Sequence, residues 1–426
     1  MAATDWEFPF VLECPVPKGR KPTSIPDTTQ FSRITECLFG VTCATPEEPY
    51  RWGFYNELYL LDLNVPLDRQ GQVPEKVLAR VARDVKSRSD ISMESEIATM
   101  VFVRLKTTIP VPVVYGYCPT RHNAIGQAFS IISFTEGSDM NGSPWEDLDL
   151  ELKLNAIRDY ARIVLQLSQL KFDRIGSIYF KHDAAPPDCF RLGPVAWCKH
   201  ESAARKRNCS YDRGPWKLSG PWLRAGLTEE IEFMERLPEL AKTSYGYRND
   251  INMKWRLAQE VIPQFRDRIR DVIEDELDGC AAGPFVLAHM DFNPWYGIQS
   301  NYFEPDIDPP RNRNMIIAPD GPNAGHILAI IDWEMAMTVP LWTLVCHPLW
   351  FESKGCQRKR DPQETRLFKD TYVRELQRYT TEPLVLRVVQ NPRLELKKGF
   401  AEIAVASWDK AECMKTWMDK HPKQER

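Results

Sequence analysis

The chain has 426 residues, 43% of them hydrophobic and 27% charged, with a formal net charge of −4. That supply of apolar side chains suits sizeable cores and more than one structural unit. The near-neutral balance offers no basic face of the kind nucleic acid needs.

The start, MAATDWEFPF, has no basic segment leading into an apolar run, and no apolar stretch reaches bilayer length. The expectation is therefore no secretory leader and no membrane partner.

Strand signals come first. Leu58 to Leu63 (LYLLDL) and Val77 to Val81 (VLARV) flank a polar, proline-containing segment. That pattern predicts an antiparallel hairpin with a long loop, with Val77, Ala79 and Val81 on one face. A helix is expected over Ser92 to Lys106, with Ile97, Met100, Val101 and Leu105 on one side. It stops before Pro110 and Pro112. Strands over Val113 to Tyr117 and Ala128 to Phe134 follow, so the first ~135 residues read as strands around a single helix.

Beyond Gly137 the pattern turns helical. Leu150 to Leu170 carries a stripe of Leu150, Leu154, Ile157, Ala161, Val164 and Leu165. Thr228 to Leu237 is expected as a helix capped by Thr228. In Leu257 to Leu277, Val261, Phe265, Ile269, Val272 and Ile273 point inward, and Pro263 kinks the helix or marks its start. Strand signals return at Phe285 to Ala288 and Ile327 to Asp332, and Leu394 to Met418 is helical. Phe180 to Trp216 and Asn301 to Gly325 read as insertions, the latter as a long surface loop. The division is α+β, with a strand-rich unit over 1–135 and a mostly helical unit over 136–426.

Four places could carry chemistry. In VLAHMDF an apolar strand ends in His289-x-Asp291; Asp291 can take a proton from an incoming hydroxyl and His289 can brace the loop. In IIDWE, 41 positions later, Asp332 ends an apolar strand, where a carboxylate is costly unless paired or bound to a cation, and Mg²⁺ suits it. Arg80 on a strand and Glu96 on the next helix can pair so that the cation reaches phosphate oxygens. Gly53, at a turn, lets backbone N–H groups approach phosphates. Each has a plain alternative: a chance tripeptide, a turn aspartate, a solvated pair, a turn glycine. Their order along the chain is that of phosphoryl-transfer enzymes. The 11 cysteines are scattered. The nearest grouping, Cys189, Cys198, His200 and Cys209, is spaced too widely for zinc, which suggests reduced thiols in a cytoplasmic protein.

These residues resemble the aminoglycoside phosphotransferase and choline-kinase-like family, especially its fungal branch, over roughly Gly53 to Trp350. MESEIATMVFVRLKTTIPVPVVYGY looks like its helix and following strand, IGQAFSIISFTEGSDM like the linker between lobes, LSQLKFDRIGSIY like a segment of fungal members, and PFVLAHMDFN and ILAIIDWEMA like the catalytic loop and metal-binding strand. The resemblance implies a two-lobed, protein-kinase-like fold, ATP and Mg²⁺ as cofactors, and a small-molecule substrate with a hydroxyl to be phosphorylated. It makes Asp291 the catalytic base with His289 beside it, Asp332 the Mg²⁺ ligand, and Arg80 the cation where many members carry Lys, with Glu96 its partner. Ser133 to Thr135 border the adenine pocket. One position departs: the family's Asn, five residues after the Asp, is here Tyr296. That departure opens a second reading, a catalytically altered member that binds a small molecule without phosphorylating it, or one in which Asp291 and His289 serve as acid and base for a rearrangement or cyclisation in fungal secondary metabolism.

Overall fold

Residues 76–82 alternate so that Val77, Ala79 and Val81 are fully buried on one face, while Arg80, 8% exposed, leaves from the other. The computed structural model describes residues 8–13, 15, 25–53, 55–83, 90–139, 145, 148–181, 188–196, 208–209, 211–243, 251–274, 284–292, 314–352, 360–405 and 410–423.

The first lobe is a six-stranded sheet. Its strands are β1 (Phe10–Val11), β2 (Arg51–Trp52), β3 (Asn56–Asp62), β4 (Lys76–Ala82), β5 (Val114–Cys118) and β6 (Phe129–Ser133), in the spatial order β1-β5-β6-β4-β3-β2. Only β1 and β5 pair in parallel. The expected β3–β4 hairpin is present, with Leu58 opposite Arg80, and β6 sets Ser130 against Arg80 on the other side.

The Val77 face packs on α1 (Phe31–Phe39) through Phe31, Ile34 and Phe39. This helix corrects the single-helix expectation: Phe31, Ile34, Thr35 and Phe39 follow a helical period and are buried together. The opposite face meets α2 (Asp90–Lys106), where Ile97, Met100 and Val101 are buried. Leu105 is 37% exposed and does not join them.

The second lobe is built on α3 (Leu150–Gln169), whose Leu154, Ile157, Ala161 and Val164 are buried; Leu150, at the exposed first turn, is not. Short strands flank it in the chain: β7 (Ser138–Asp139) before it, and β8 (Lys171–Phe172), β9 (Ser177–Phe180) and β10 (Phe190–Gly193) after it, with β9 packed on α2. Helix α4 spans Ser219–Arg236, so Thr228 is an interior residue and not the cap. After α5 (Pro238–Thr243), Pro263 lies inside α6 (Ile251–Asp267), which ends before the short α7 (Ile269–Val272). Val261, Phe265, Ile269, Val272 and Ile273 are all buried, as expected.

Strands β11 (Phe285–Ala288), β12 (Met315–Ile317), β13 (Ile327–Ile330) and β14 (Met337–Pro340) form two three-stranded sheets, β14-β11-β8 and β13-β12-β7. β12 corrects the reading of 301–325 as loop throughout: its Met315 and Ile317 are buried and pair with β13. Residues 301–313 of that segment, and much of 180–216, lie outside the described residues.

The C-terminal helices are α8 (Leu341–Val345), α9 (Pro362–Tyr379), α10 (Pro383–Val389), α11 (Pro392–Ala404) and α12 (Ala411–Lys420). Asp361 caps α9 by accepting from the Gln363 and Glu364 amides, with Pro362 in the first turn. No helix among the described residues is long and apolar enough to cross a membrane.

Candidate active site

The buried strands β11 and β13 end in the two carboxylate-bearing turns. Asp332 follows β13 by two residues and Asp291 follows β11 by three. Among the described residues, the two non-glycine residues with positive φ are Met290 (64°) and Asp332 (65°), one in each turn. Left-handed backbone costs little at Asp but is a genuine outlier at Met, and it persists only where the surroundings enforce it.

Those surroundings tie the two turns together. Asn314, 3% exposed and immediately before β12, donates its Nδ2 to the Asp291 carbonyl (2.8 Å) and to Asp291 Oδ2 (2.9 Å). Its own carbonyl accepts from the Ile331 amide at 3.0 Å, next to Asp332. His289, 2% exposed, approaches the Ile331 carbonyl with Nε2 at 2.9 Å. A carbonyl only accepts, so Nε2 carries the proton and donates. Nδ1 is then a buried acceptor with no hydrogen-bond partner among the described residues. The ring packs edge-on against Trp333, centroids 4.7 Å apart. Burial lowers the His289 pKa to about 4, outweighing the Ile331 carbonyl and the Glu96 charge, which both act to raise it. The ring is neutral at physiological pH and holds the turn.

The first lobe reaches this region through Arg80. Its Nη1 bonds Glu96 Oε1 at 2.6 Å and its Nη2 bonds Asp332 Oδ1 at 3.2 Å. The Glu96 side chain is 1% exposed and that of Asp332 24%. Burying the Arg80 and Glu96 charges is tolerable because they are paired. The Ile330 amide also bonds the Pro110 carbonyl at 2.8 Å, and α2 packs on the turn after Asp332. Arg80, Glu96, Asp332, Asn314, Asp291 and His289 therefore form one connected cluster.

The remaining expected residues sit at its margin. The Gly53 amide donates to the Asn56 carbonyl at 2.8 Å and closes the β2–β3 turn, so that N–H is already engaged. Ser133 exchanges bonds with Val113: its amide donates to the Val113 carbonyl (2.8 Å) and its Oγ accepts from the Val113 amide (2.9 Å). Thr135 lies two residues past β6, on the segment leading into the second lobe. Tyr296 lies outside the described residues.

Asn314 is the residue that sequence reasoning missed. The fixed spacing pointed to Tyr296, whereas 22 residues separate Asp291 from Asn314. The available signal was that Asn314 directly precedes the apolar run Met315–Ile317.

No family model matches the chain. It is 25% identical over 322 residues to a subtelomeric hrmA-associated cluster protein of Aspergillus fumigatus, an alignment covering 72% of this chain and 60% of that protein. It is 24% identical over 332 residues to altered inheritance of mitochondria protein 9, mitochondrial, of Lodderomyces elongisporus, covering 72% of this chain and 48% of that protein. The chain thus spans about half to three fifths of the length of these curated relatives.

Solved structures similar to the chain are aminoglycoside phosphotransferases. A gentamicin complex of APH(2″)-IIa is 10% identical, with 94% of this chain and 97% of that chain covered and a TM-score of 0.45. A ternary complex of APH(4)-Ia with AMP-PNP and hygromycin B is 12% identical, with 92% and 97% covered and a TM-score of 0.44. The expectation of a cytoplasmic protein is overturned: the same relative from Clavispora lusitaniae and that from Lodderomyces elongisporus both carry the designation mitochondrial.

Proposed function

We propose that the chain is an ATP- and Mg²⁺-dependent phosphotransferase acting on a hydroxyl of a small molecule, with a division between its two units near residue 135. The observation that carries this reading is Asn314, which binds Asp291 with its side chain and the turn before Asp332 with its backbone. Two carboxylate turns at the ends of separate strands, held together and faced by a paired cation from the other lobe, match what phosphoryl transfer requires: positioning and charge neutralisation.

The donor set suits Mg²⁺. Asp332 offers a carboxylate and Asn314 would add an amide oxygen, hard donors of the kind that hold Mg²⁺ alongside substrate phosphates. When bound, the metal would neutralise charge on the nucleotide phosphates. Arg80 bonds both Glu96 and Asp332, which fixes its guanidinium beside the carboxylate turn. Its positive charge would lie beside the nucleotide phosphates. Asp291 would accept the proton as the substrate oxygen bonds to the γ-phosphorus and the bond to the ADP oxygen breaks. Asn314 would keep the Asp291 carboxylate aimed at that hydroxyl. Ser133 to Thr135 would border the base, and Gly53 would lie over the phosphates.

The second reading, with His289 as an acid–base partner of Asp291, gains no support from a ring that is 2% exposed and bonded to a backbone carbonyl. The test is ADP release from ATP against a panel of hydroxyl-bearing metabolites, wild type beside Asp291→Asn. The proposal expects acceptor-dependent ADP release that Asp291→Asn abolishes. Release that persists unchanged in Asp291→Asn removes the base assignment.

A further inference from the structure

A groove of about 430 Å³ lies away from Asp291 and Asp332, between two strands that each stand at the edge of a sheet. On one side are β8 and the residue after it, Lys171 to Asp173; on the other are Phe190, Arg191 and Leu192 of β10. Among the described residues, β10 pairs with β9 alone.

The β9–β10 ladder fixes which backbone groups face outward. The Lys181 amide bonds the Cys189 carbonyl at 2.7 Å, just beyond the strands. Bonded and non-bonded pairs alternate in an antiparallel ladder, so Tyr179–Arg191 is the next bonded pair. Phe190 and Leu192, opposite Phe180 and Ile178, therefore turn their N–H and C=O groups away from β9. Among the described residues nothing hydrogen-bonds to those groups. Both residues are partly exposed and line the groove, so the edge opens onto it. Such a row of backbone donors and acceptors fits another extended chain.

The side chains select which chain. Alternation along β10 puts Phe190 and Leu192 on the groove face, where the Phe190 ring meets that of Phe102 with centroids 5.2 Å apart, and Phe102 meets Phe172 at 5.9 Å. Arg191 leaves from the opposite face. It is exposed, its guanidinium lies over the Tyr179 ring at 5.0 Å, and no carboxylate pairs with it among the described residues. A strand added to β10 would set two alternate side chains beside Phe190 and Leu192, and the one between them beside Arg191. The flanking pair suits apolar groups and the middle position a carboxylate.

We propose that the free edge of β10 and its groove form a docking site for an extended segment of a partner protein, with an acidic residue between two apolar ones, added alongside β10 as a further strand. The inference stands apart from the phosphotransferase reading, because docking here needs neither nucleotide nor metal.

The experiment is fluorescence polarisation with the full chain and the labelled, blocked pentapeptide Ser-Val-Glu-Phe-Ser. Its comparisons are Ser-Val-Lys-Phe-Ser and an N-methylated form of the first, which keeps the side chains and loses the backbone donors. The Glu peptide is expected to bind saturably, the Lys peptide about tenfold more weakly, and the N-methylated peptide not measurably. Arg191→Glu is expected to invert the preference between the Glu and Lys peptides. Leu192→Pro removes an outward N–H that the β9 ladder does not use; it is expected to abolish binding and keep the fold, as read by circular dichroism. If that variant unfolds, the inversion in Arg191→Glu still decides. No binding of the Glu peptide to wild type, equal binding of the N-methylated peptide, or an unchanged preference in Arg191→Glu would overturn the site. Self-association of wild type that the Glu peptide competes away would overturn the partner and give the edge to a second copy of the chain.

Discussion

Acidification should loosen the Asp291 turn through His289. The ring is buried and neutral, with its pKa near 4 against an ordinary 6.5. The folded state therefore resists a proton that the unfolded chain takes up readily. The stability this contributes is fully present above pH 6.5 and is lost as pH falls from there toward 4. Over that window the loss amounts to roughly 3 kcal/mol, a large part of an ordinary domain's stability. His421 is also held below its ordinary value, chiefly by burial, so wild type alone cannot isolate the effect. His289→Gln can, because Gln can still donate to the Ile331 carbonyl but does not titrate. Urea unfolding at a series of pH values, wild type beside His289→Gln, is the assay. Wild type should lead near neutrality, and the gap should close by roughly 3 kcal/mol as pH falls to about 4. Glu395 does not confuse the result, because its acid-sensitive range extends toward 2 and is shared by both proteins. Parallel profiles for the two proteins would refute the account of His289 as a buried neutral brace.

Two further substitutions probe the cluster. Glu96→Ala removes the shorter of the two carboxylate bonds of the buried Arg80 and should cost about 3 kcal/mol in chemical denaturation; a loss under 1 kcal/mol would mean that the bond to Asp332 alone is enough to hold the cation. Asn314→Ala removes both bonds to Asp291 and should lower kcat about 10- to 100-fold with little change in the KM for ATP, whereas a selective rise in KM would mark Asn314 as a binding residue only.

Much of this arrangement was legible in the sequence because it follows simple periods. The alternation of Val77, Ala79 and Val81 fixed which way Arg80 points, and the helical spacing in α2 placed Glu96 opposite it. The apolar runs ahead of His289 and Asp332 marked buried strands ending in polar turns. Asn314 was hidden because fixed spacing fails when extra chain separates two residues that the sheet brings back together. Helix α1 was hidden for a different reason: it is short, starts directly from a 3₁₀ turn, and lacks a side-chain cap of its own. The second apolar set, around β12, was obscured by the proline- and asparagine-rich residues before it, whose turn chemistry dominated the reading.

The central claim is that Arg80, Asp332 and Asn314 build a site for a Mg²⁺-bound nucleotide between the lobes. Its most direct test is calorimetric titration of ATP into wild type and Asp332→Ala, each with and without Mg²⁺. Binding to wild type that requires Mg²⁺ and disappears in Asp332→Ala is the predicted result. No ATP binding to wild type, or binding indifferent to both the metal and Asp332, would contradict it.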